Sequence, residues 1–309
     1  MPSERVHFVS TTYERPEWGD GLGLGRTKID GSATVILRRD GSPTAHVAHV
    51  AGQTFSDLPA LLATCSGDLH LIRQGTSVVV PDDELLAPTA NPGKIICVGL
   101  NYSAHAQEAA RPAAGYPALF AKWPTSLAPP YADIPLPPES PEVDFEAELV
   151  AVIGKRIRRA TASDAGAAIF GYTVANDGSV RDYQRHTTQV TAGKAWDGMT
   201  PIGPVVVPAS LLGQEQPDLR ISGTLDGRLQ QEDRTSRMDF SVGALIEYIT
   251  EFLTLEPGDL ILTGTPAGVG FVRQPPVFLT AGCEFEVRIE GIGTIRNSYY
   301  LESDAGAGA

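Results

Sequence analysis

The sequence predicts an α+β fold dominated by β-strands, with a small β-rich N-terminal domain and a larger C-terminal domain. Short runs of strand-forming residues recur along the chain, whereas apolar residues at helical spacing occur in only a few segments. The pattern lacks the regular alternation of strand and helix that a doubly wound parallel sheet requires. A mixed β-roll or sandwich is therefore the expected architecture.

The small N-terminal domain is expected over residues 1–90. Alternating apolar residues predict strands over 33–37 and 45–50, and three leucines at helical spacing predict a helix over 54–65. The glycines of 21–25 lie in an expected loop rather than between a strand and a helix, so they do not indicate a nucleotide site. Two prolines and a glycine in 86–93 indicate the domain boundary.

The larger domain is expected over residues 91–303, followed by a flexible alanine- and glycine-rich tail over 304–309. A proline-rich passage over 124–141 predicts a long ordered excursion, the kind of loop that often carries function. Strands are predicted over 94–99, 145–153, 171–175, 204–207, 219–225, 260–263 and 283–289, and helices over 101–110, 162–169 and 242–253.

Composition excludes several classes of protein. Hydrophobic residues make up 42% and charged residues 20% of 309 residues, which is typical of a globular protein. The net charge of −13 disfavours nucleic acid as a partner. Three widely spaced cysteines and the lack of a long apolar stretch or signal peptide predict a cytoplasmic protein that does not enter a membrane.

Acidic residues at a spacing of two suggest a metal site. Asp144, Glu146 and Glu148 lie on one face of the predicted strand 145–153 and its approach, because side chains alternate along a strand. Asp177, in the polar turn after the next strand, is the candidate third ligand beside Glu146 and Glu148. Such hard oxygen ligands suit Mg²⁺, Mn²⁺ or Ca²⁺. A solvated strand face is the alternative.

Two further segments carry candidate catalytic groups. His105 and Glu108 are three residues apart on a predicted helix, where the carboxylate can orient the imidazole and the pair can deprotonate water. An ordinary surface pair would have the same spacing. Lys194 adds a cation, and the glycine-rich turn 263–270 adds exposed backbone groups.

Taken together, these segments resemble the fumarylacetoacetate hydrolase family from about residue 92 to residue 299. The matching motifs occur in the family's order along the chain. They are Lys-Ile-Ile-Cys-Val-Gly-Leu-Asn-Tyr at 94–102 with His105 and Glu108, Pro-Ala-Leu-Phe-Ala-Lys at 117–122, Asp-Phe-Glu-Ala-Glu-Leu at 144–149, Asn-Asp at 176–177, Arg-Asp at 181–182, Gly-Lys at 193–194, Pro-Ile-Gly-Pro at 201–204, and Thr-Gly-Thr-Pro at 263–266.

The resemblance implies a β-roll catalytic domain that forms a homodimer and binds Mg²⁺, Mn²⁺ or Ca²⁺. It places the metal on Glu146, Glu148 and Asp177, and a His105–Glu108 dyad on a lid over the substrate. Lys194 matches the residue that supports the carbanion-like leaving group. The positions matched to substrate contacts are Lys122, Arg181, Gln184 and Thr265. The chain departs from the family at 178–180 and 195–198, which touch the pocket wall.

The function implied is hydrolysis of a C–C bond in an acylpyruvate or related 1,3-diketo acid, through a metal-stabilised enolate and water activated by the dyad. The same site could serve other reactions of a keto acid or diketone. These alternatives are a 2-oxo acid decarboxylase, a hydroxydienoate isomerase, a dehydratase, and a biosynthetic enzyme for a larger polyketide-like substrate. A non-catalytic binding protein on the same scaffold is a further alternative.

Overall fold

The computed structural model describes residues 14–19, 21–110, 115–212 and 216–303, so the tail predicted over 304–309 lies outside the described residues. Strands predominate over helices in this part of the chain. The strands are β1 (Leu22–Ile29), β2 (Ser32–Arg39), β3 (Thr44–Val50), β4 (Ile72–Val79), β5 (Leu85–Leu86), β6 (Ile95–Gly99), β7 (Ala118–Lys122), β8 (Leu127–Ala128), β9 (Ile134–Leu136), β10 (Val143–Asp144), β11 (Ala147–Ile153), β12 (Ile169–Asn176), β13 (Ser179–Val180), β14 (Thr200–Pro208), β15 (Arg220–Leu225), β16 (Arg228–Arg234), β17 (Leu260–Leu262), β18 (Glu284–Ile289) and β19 (Gly293–Leu301).

The α-helices are short, apart from one of three turns. They are α1 (Leu58–Cys65), α2 (Ser103–Glu108), α3 (Ala162–Ala168), α4 (Arg181–Gln184), α5 (Thr191–Lys194) and α6 (Val242–Phe252). Ser241 begins α6, where its side chain accepts a hydrogen bond from the backbone of Ala244. No helix in the described ranges is long and apolar enough to cross a membrane.

Two sheets form the body of the fold. The larger has the order β4-β3-β2-β1-β14-β12-β11-β17-β6-β7, with β5 beside β1 and β8 beside β14. The second has the order β16-β15-β18-β19-β9. Phe145 stacks on Phe285 of β18 with ring centroids 4.6 Å apart, in the apolar core between the sheets. The α+β, β-dominated class predicted from the sequence is confirmed.

The N-terminal strands continue the large sheet. Leu24 of β1 pairs with Val206 of β14, and β1 to β4 follow one another as antiparallel neighbours. The first strand occupies the glycine-rich run for which a loop was expected, so that expectation was wrong. Glycines suit this position because a Cβ on Gly23 would lie 2.6 Å from the carbonyl oxygen of Val206. The division of the chain near residue 90 stays a prediction.

Element bounds differ from the predicted ones at informative places. Helix α1 begins at Leu58 rather than residue 54, because the Asp57 carboxylate caps it and Pro59 fits its first turn. The predicted strand 145–153 is interrupted: β10 ends at Asp144 and β11 begins at Ala147, which places Glu146 between them. Strand β11 is buried on both faces, not half-buried, because sheet neighbours and packed apolar residues enclose it.

Candidate active site

Three acidic side chains converge where β11 and β12 meet. Glu146 precedes β11, Glu148 lies on it, and Asp177 follows β12, whose Asn176 pairs with Ala147. The backbone amide of Asp177 donates to the carbonyl oxygen of Glu146 at 2.9 Å, which holds the two turns together. One carboxylate oxygen from each residue lies within 4.8 Å of the others, and all three residues are buried. The structure therefore brings together the three predicted metal ligands.

Buried cations surround these carboxylates. The Nζ of Lys194 lies 2.8 Å from Glu146 Oε2 and 2.8 Å from Asp177 Oδ2. Lys122 Nζ lies 2.6 Å from Asp177 Oδ1. Arg181 Nη2 lies 2.6 Å from Glu146 Oε1, the other oxygen of that carboxylate. Buried charges are stable only when they are paired in this way.

The cations set the ionisation of this cluster. Burial favours the neutral form of Glu146, but Lys194 and Arg181 outweigh it and lower the pKa of this carboxyl to about 2. Burial likewise disfavours the Lys194 ammonium, yet Asp177 and Glu146 raise its pKa above the ordinary value. At neutral pH both groups are therefore charged.

Glu148 forms no ion pair with a cation in the part of the chain that the structure describes. Burial and the nearby charges of Asp177 and Glu146 raise its pKa well above the ordinary value, and its Oε2 accepts a hydrogen bond from the backbone of Gly264 at 2.9 Å. Asp177 Oδ1 is buried and accepts no hydrogen bond of good geometry, although Lys122 is nearby. A divalent cation would neutralise this excess of negative charge, so the donor set fits a hard metal ion.

Asp144, the remaining acid of the predicted strand face, has a separate role. Its carboxylate accepts from Arg181 Nε and from the backbone amides of Gly270 and Phe271. A Cβ on Gly270 would lie 1.8 Å from the carbonyl oxygen of Val277, so this close approach requires glycine. Asp144 thus anchors Arg181, whose guanidinium also lies over the Phe271 ring.

The predicted His105–Glu108 dyad forms on α2. His105 Nδ1 lies 2.8 Å from Glu108 Oε1, and the Glu108 carboxylate accepts from the backbone amide of Gly268 at 3.0 Å. His105 is buried and Glu108 is half-buried, so the pair is more enclosed than a surface pair. Glu108 holds one ring nitrogen, which leaves Nε2 available to the cavity.

A cavity of about 770 Å³ connects these groups. Its wall includes His105, Glu146, Lys194 and, of the four predicted substrate contacts, Arg181, Gln184 and Thr265. The fourth, Lys122, is buried next to Asp177 and donates to Thr200 Oγ1 at 2.8 Å. Apolar side chains of Val98, Leu119 and Phe120 also line the cavity, and Lys194 Nζ lies 5.1 Å from the centroid of the Phe120 ring.

Gln231 on β16 was missed by the sequence reasoning. Its buried side-chain amide accepts from Ala147 N at 2.9 Å and donates to Thr265 Oγ1 and the Pro266 carbonyl, each at 2.8 Å. Thr265 Oγ1 in turn donates to the Ala147 carbonyl at 2.9 Å. Gln231 therefore joins the strand of the carboxylates to the turn at the cavity wall. The alternating strand pattern around it gave no signal, because a buried glutamine is indistinguishable from a surface one in sequence.

Comparison with known proteins identifies the family. The sequence profile of the fumarylacetoacetate (FAA) hydrolase C-terminal domain matches residues 94–299. The chain belongs to the fumarylacetoacetate hydrolase family. This confirms the resemblance seen in the motifs, and a curated relative, the mitochondrial oxaloacetate tautomerase FAHD2B of Bos taurus, is 44% identical over 236 residues, which cover 74% of this chain and 75% of the relative.

Solved structures of the family support the fold. The fumarylacetoacetate hydrolase of Exiguobacterium antarcticum is 32% identical, with a TM-score of 0.76 over 91% of this chain and 100% of that one. The 2-hydroxyhepta-2,4-diene-1,7-dioate isomerase of Mycobacterium marinum is also 32% identical, with a TM-score of 0.69 over 92% of this chain and 100% of that one. Family members with the same fold thus carry names of different reactions.

We predict that Glu148→Gln stabilises the metal-free protein at pH 7. The pKa of Glu148 is higher in the folded protein than the ordinary value of 4.5 that applies in the unfolded chain. The free energy of unfolding of the wild type therefore falls as the pH rises from 4.5 toward the folded pKa. Thermal unfolding in EDTA should show a higher Tm for the variant. Added Mg²⁺ should stabilise the wild type and leave the variant nearly unchanged. A variant that is less stable in EDTA and still responds to Mg²⁺ would contradict the assignment; Glu139→Gln, at an exposed carboxylate, is the control.

A second variant tests the part played by Gln231. Gln231→Leu removes three hydrogen bonds, including those to the buried Ala147 amide and Pro266 carbonyl, so Mg²⁺ should bind roughly 10-fold more weakly by calorimetry. The neighbouring Gln230→Leu is a matched control, because that side chain is partly exposed and bonds only the Arg228 carbonyl, at 3.3 Å. Equal Mg²⁺ affinity in the two variants would show that Gln231 does not support the site.

Proposed function

We propose that this chain is a divalent-metal-dependent tautomerase that interconverts the keto and enol forms of oxaloacetate or a similar 2-oxo acid. The observation that carries the proposal is a cavity lined by Lys194, Arg181 and His105 and by Glu146, which belongs to the cluster of three buried carboxylates. The 44% identity with an oxaloacetate tautomerase supports this substrate class. The reaction needs a proton acceptor and positive charge near an oxygen, and it needs no attacking water.

Glu146, Glu148 and Asp177 would hold the metal ion, for which Mg²⁺ is the first candidate and Mn²⁺ and Ca²⁺ the alternatives. When bound, such an ion acts as a Lewis acid toward the 2-oxo group. Lys194 and Arg181 provide further positive charge on the cavity wall, where the oxygen becomes negative as a proton leaves carbon 3. Burial of these groups strengthens their electrostatic effect.

His105 is the best candidate for moving that proton. Among the ionisable side chains on the described cavity wall, Lys194 has a raised pKa and arginines stay protonated, so these cannot accept a proton at neutral pH. Glu146 is ionised but its oxygens are bound to Arg181 and Lys194. His105 remains, with one nitrogen held by Glu108. In the keto-to-enol direction it would take the proton from carbon 3, and the resulting imidazolium would give a proton to the 2-oxo oxygen. In the reverse direction it would take the enol proton and return one to carbon 3.

Hydrolysis of an acylpyruvate is the second candidate, and the dyad is the observation that favours it. The 2.8 Å contact between His105 and Glu108 suits a base that activates water as well as one that moves a substrate proton. The two functions differ in the product. A hydrolase releases two fragments, whereas a tautomerase returns an isomer.

The quaternary structure is proposed from the family resemblance, and the location is proposed from the sequence. We infer a homodimer, which light scattering would detect as a mass near twice 32.8 kDa, and a mass equal to the monomer would contradict it. The cytoplasmic location remains a proposal, while the bovine relative is named as a mitochondrial protein.

We predict that His105→Ala lowers the kcat for oxaloacetate tautomerisation by roughly 100-fold or more, the usual contribution of a positioned base. The carboxylates remain, so Mg²⁺ affinity should be nearly unchanged. The decay of the enol absorbance with Mg²⁺ measures the rate, and His70→Ala, at an exposed histidine, is the control.

Three outcomes separate the functions in this experiment. An unchanged rate in His105→Ala would exclude His105 as the proton carrier. A wild type that cleaves acylpyruvates but does not tautomerise oxaloacetate would favour the hydrolase. Loss of Mg²⁺ binding in His105→Ala would show that the histidine acts through the metal site instead.

A further inference from the structure

The charges of the inner cavity suit one carboxylate of a substrate, not two. Four buried acids and three buried cations there leave one negative charge in excess. A bound divalent cation would change this to one positive charge in excess. That excess matches the single carboxylate next to a 2-oxo group, and a second carboxylate would need another cation. The four buried acids are Asp144, Glu146, Glu148 and Asp177, and the three buried cations are Lys122, Arg181 and Lys194.

Arg185 supplies a further cation on the cavity wall. It follows α4 directly and lies four residues after Arg181, so both side chains project from the same side of this turn. Arg181 is buried and bonds Gln184 Oε1 at 2.8 Å, whereas the side chain of Arg185 is 58% exposed. The segment thus places one arginine inside the cavity and one at its mouth.

The present partner of Arg185 is exchangeable. Its Nη2 lies 2.6 Å from Glu142 Oε2, and the Glu142 side chain is itself 31% exposed. Exposed ion pairs contribute little to stability, so a substrate carboxylate can replace Glu142 at small cost. The apolar side chains of Val98, Leu119 and Phe120, which also line the cavity, have no hydrogen-bond donor for a carboxylate.

We propose that Arg185 binds the second carboxylate of a 2-oxo dicarboxylate and that Glu142 competes with the substrate for it. The proposal rests on the proposed function, in that it names the substrate class of the same site. Arg185 and Glu142 then determine the preference for dicarboxylates over monocarboxylates. Arg185 favours the binding of a dicarboxylate and Glu142 opposes it, so substitutions at the two residues should change KM in opposite directions.

The test compares oxaloacetate with phenylpyruvate, a 2-oxo acid with one carboxylate, in the Mg²⁺-loaded enzyme. Arg185→Gln should raise KM for oxaloacetate roughly 5- to 10-fold, and Glu142→Gln should lower it roughly 2-fold. Neither change should alter KM for phenylpyruvate. Arg156→Gln is the control, because Arg156 also forms an exposed ion pair, with Glu256, and does not line the cavity. Equal effects on both substrates, or none, would overturn the proposal.

A binding measurement separates this proposal from the tautomerase assignment. Malate and lactate are unreactive 2-hydroxy acids with two carboxylates and one, and calorimetry with Mg²⁺ gives their Kd without any turnover. Weaker malate binding and unchanged lactate binding in Arg185→Gln would support the role of Arg185 even if the wild type tautomerised neither keto acid. An active wild type whose Arg185→Gln variant binds malate normally would overturn the role while the tautomerase assignment stands.

Discussion

The need to neutralise four buried carboxylates determines the structure of the site. Arg181 and Lys194 pair with Asp144, Glu146 and Asp177, but Glu148 has a raised pKa because burial and its acidic neighbours disfavour its charge. Unpaired buried charge is costly, and proteins keep it only where it serves binding or catalysis. The excess negative charge is the physical reason for assigning a divalent cation to this place.

One turn of the backbone organises the acids from three different elements. The amide of Gly264 donates to Glu148 of β11, that of Gly268 to Glu108 of α2, and that of Gly270 to Asp144 of β10. The turn 264–270 therefore links the metal-site carboxylates to the dyad. Gln231 adds a side-chain link from β16 to the same turn at Pro266. A shift of this turn would move the proposed metal ligand Glu148 and the His105–Glu108 dyad together.

The sequence was informative where residue type alone limits the possibilities. Acids beside a buried apolar strand pointed to Glu146 and Glu148, and the family motifs pointed to Asp177, Lys194 and the dyad. The break between β10 and β11 could not be predicted, because it depends on Glu146 N bonding Asn176 Oδ1, which is 30 residues away. Gln231 was missed for the same reason: its partners are distant in sequence, and the spacing of residues contains only local information.

The substrate could be predicted less well than the site. Family members with this fold carry names of different reactions, so motif residues indicate enolate chemistry without choosing hydrolysis or tautomerisation. The choice depends on the groups at the cavity wall and mouth. Arg185 attracted no attention in the sequence because a charged residue after a short helix is ordinary. Its position on the cavity wall makes it a candidate for binding a substrate carboxylate.

The central claim is that one divalent cation binds between Glu146, Glu148 and Asp177. Anomalous diffraction from a crystal grown with Mn²⁺ tests it most directly, because the signal locates the ion independently of activity. We expect one strong peak per chain, with an oxygen of each of the three carboxylates roughly 2.0 to 2.6 Å away. A peak elsewhere, or Asp177 still bound only to Lys122 and Lys194 with the ion absent at saturating Mn²⁺, would contradict it.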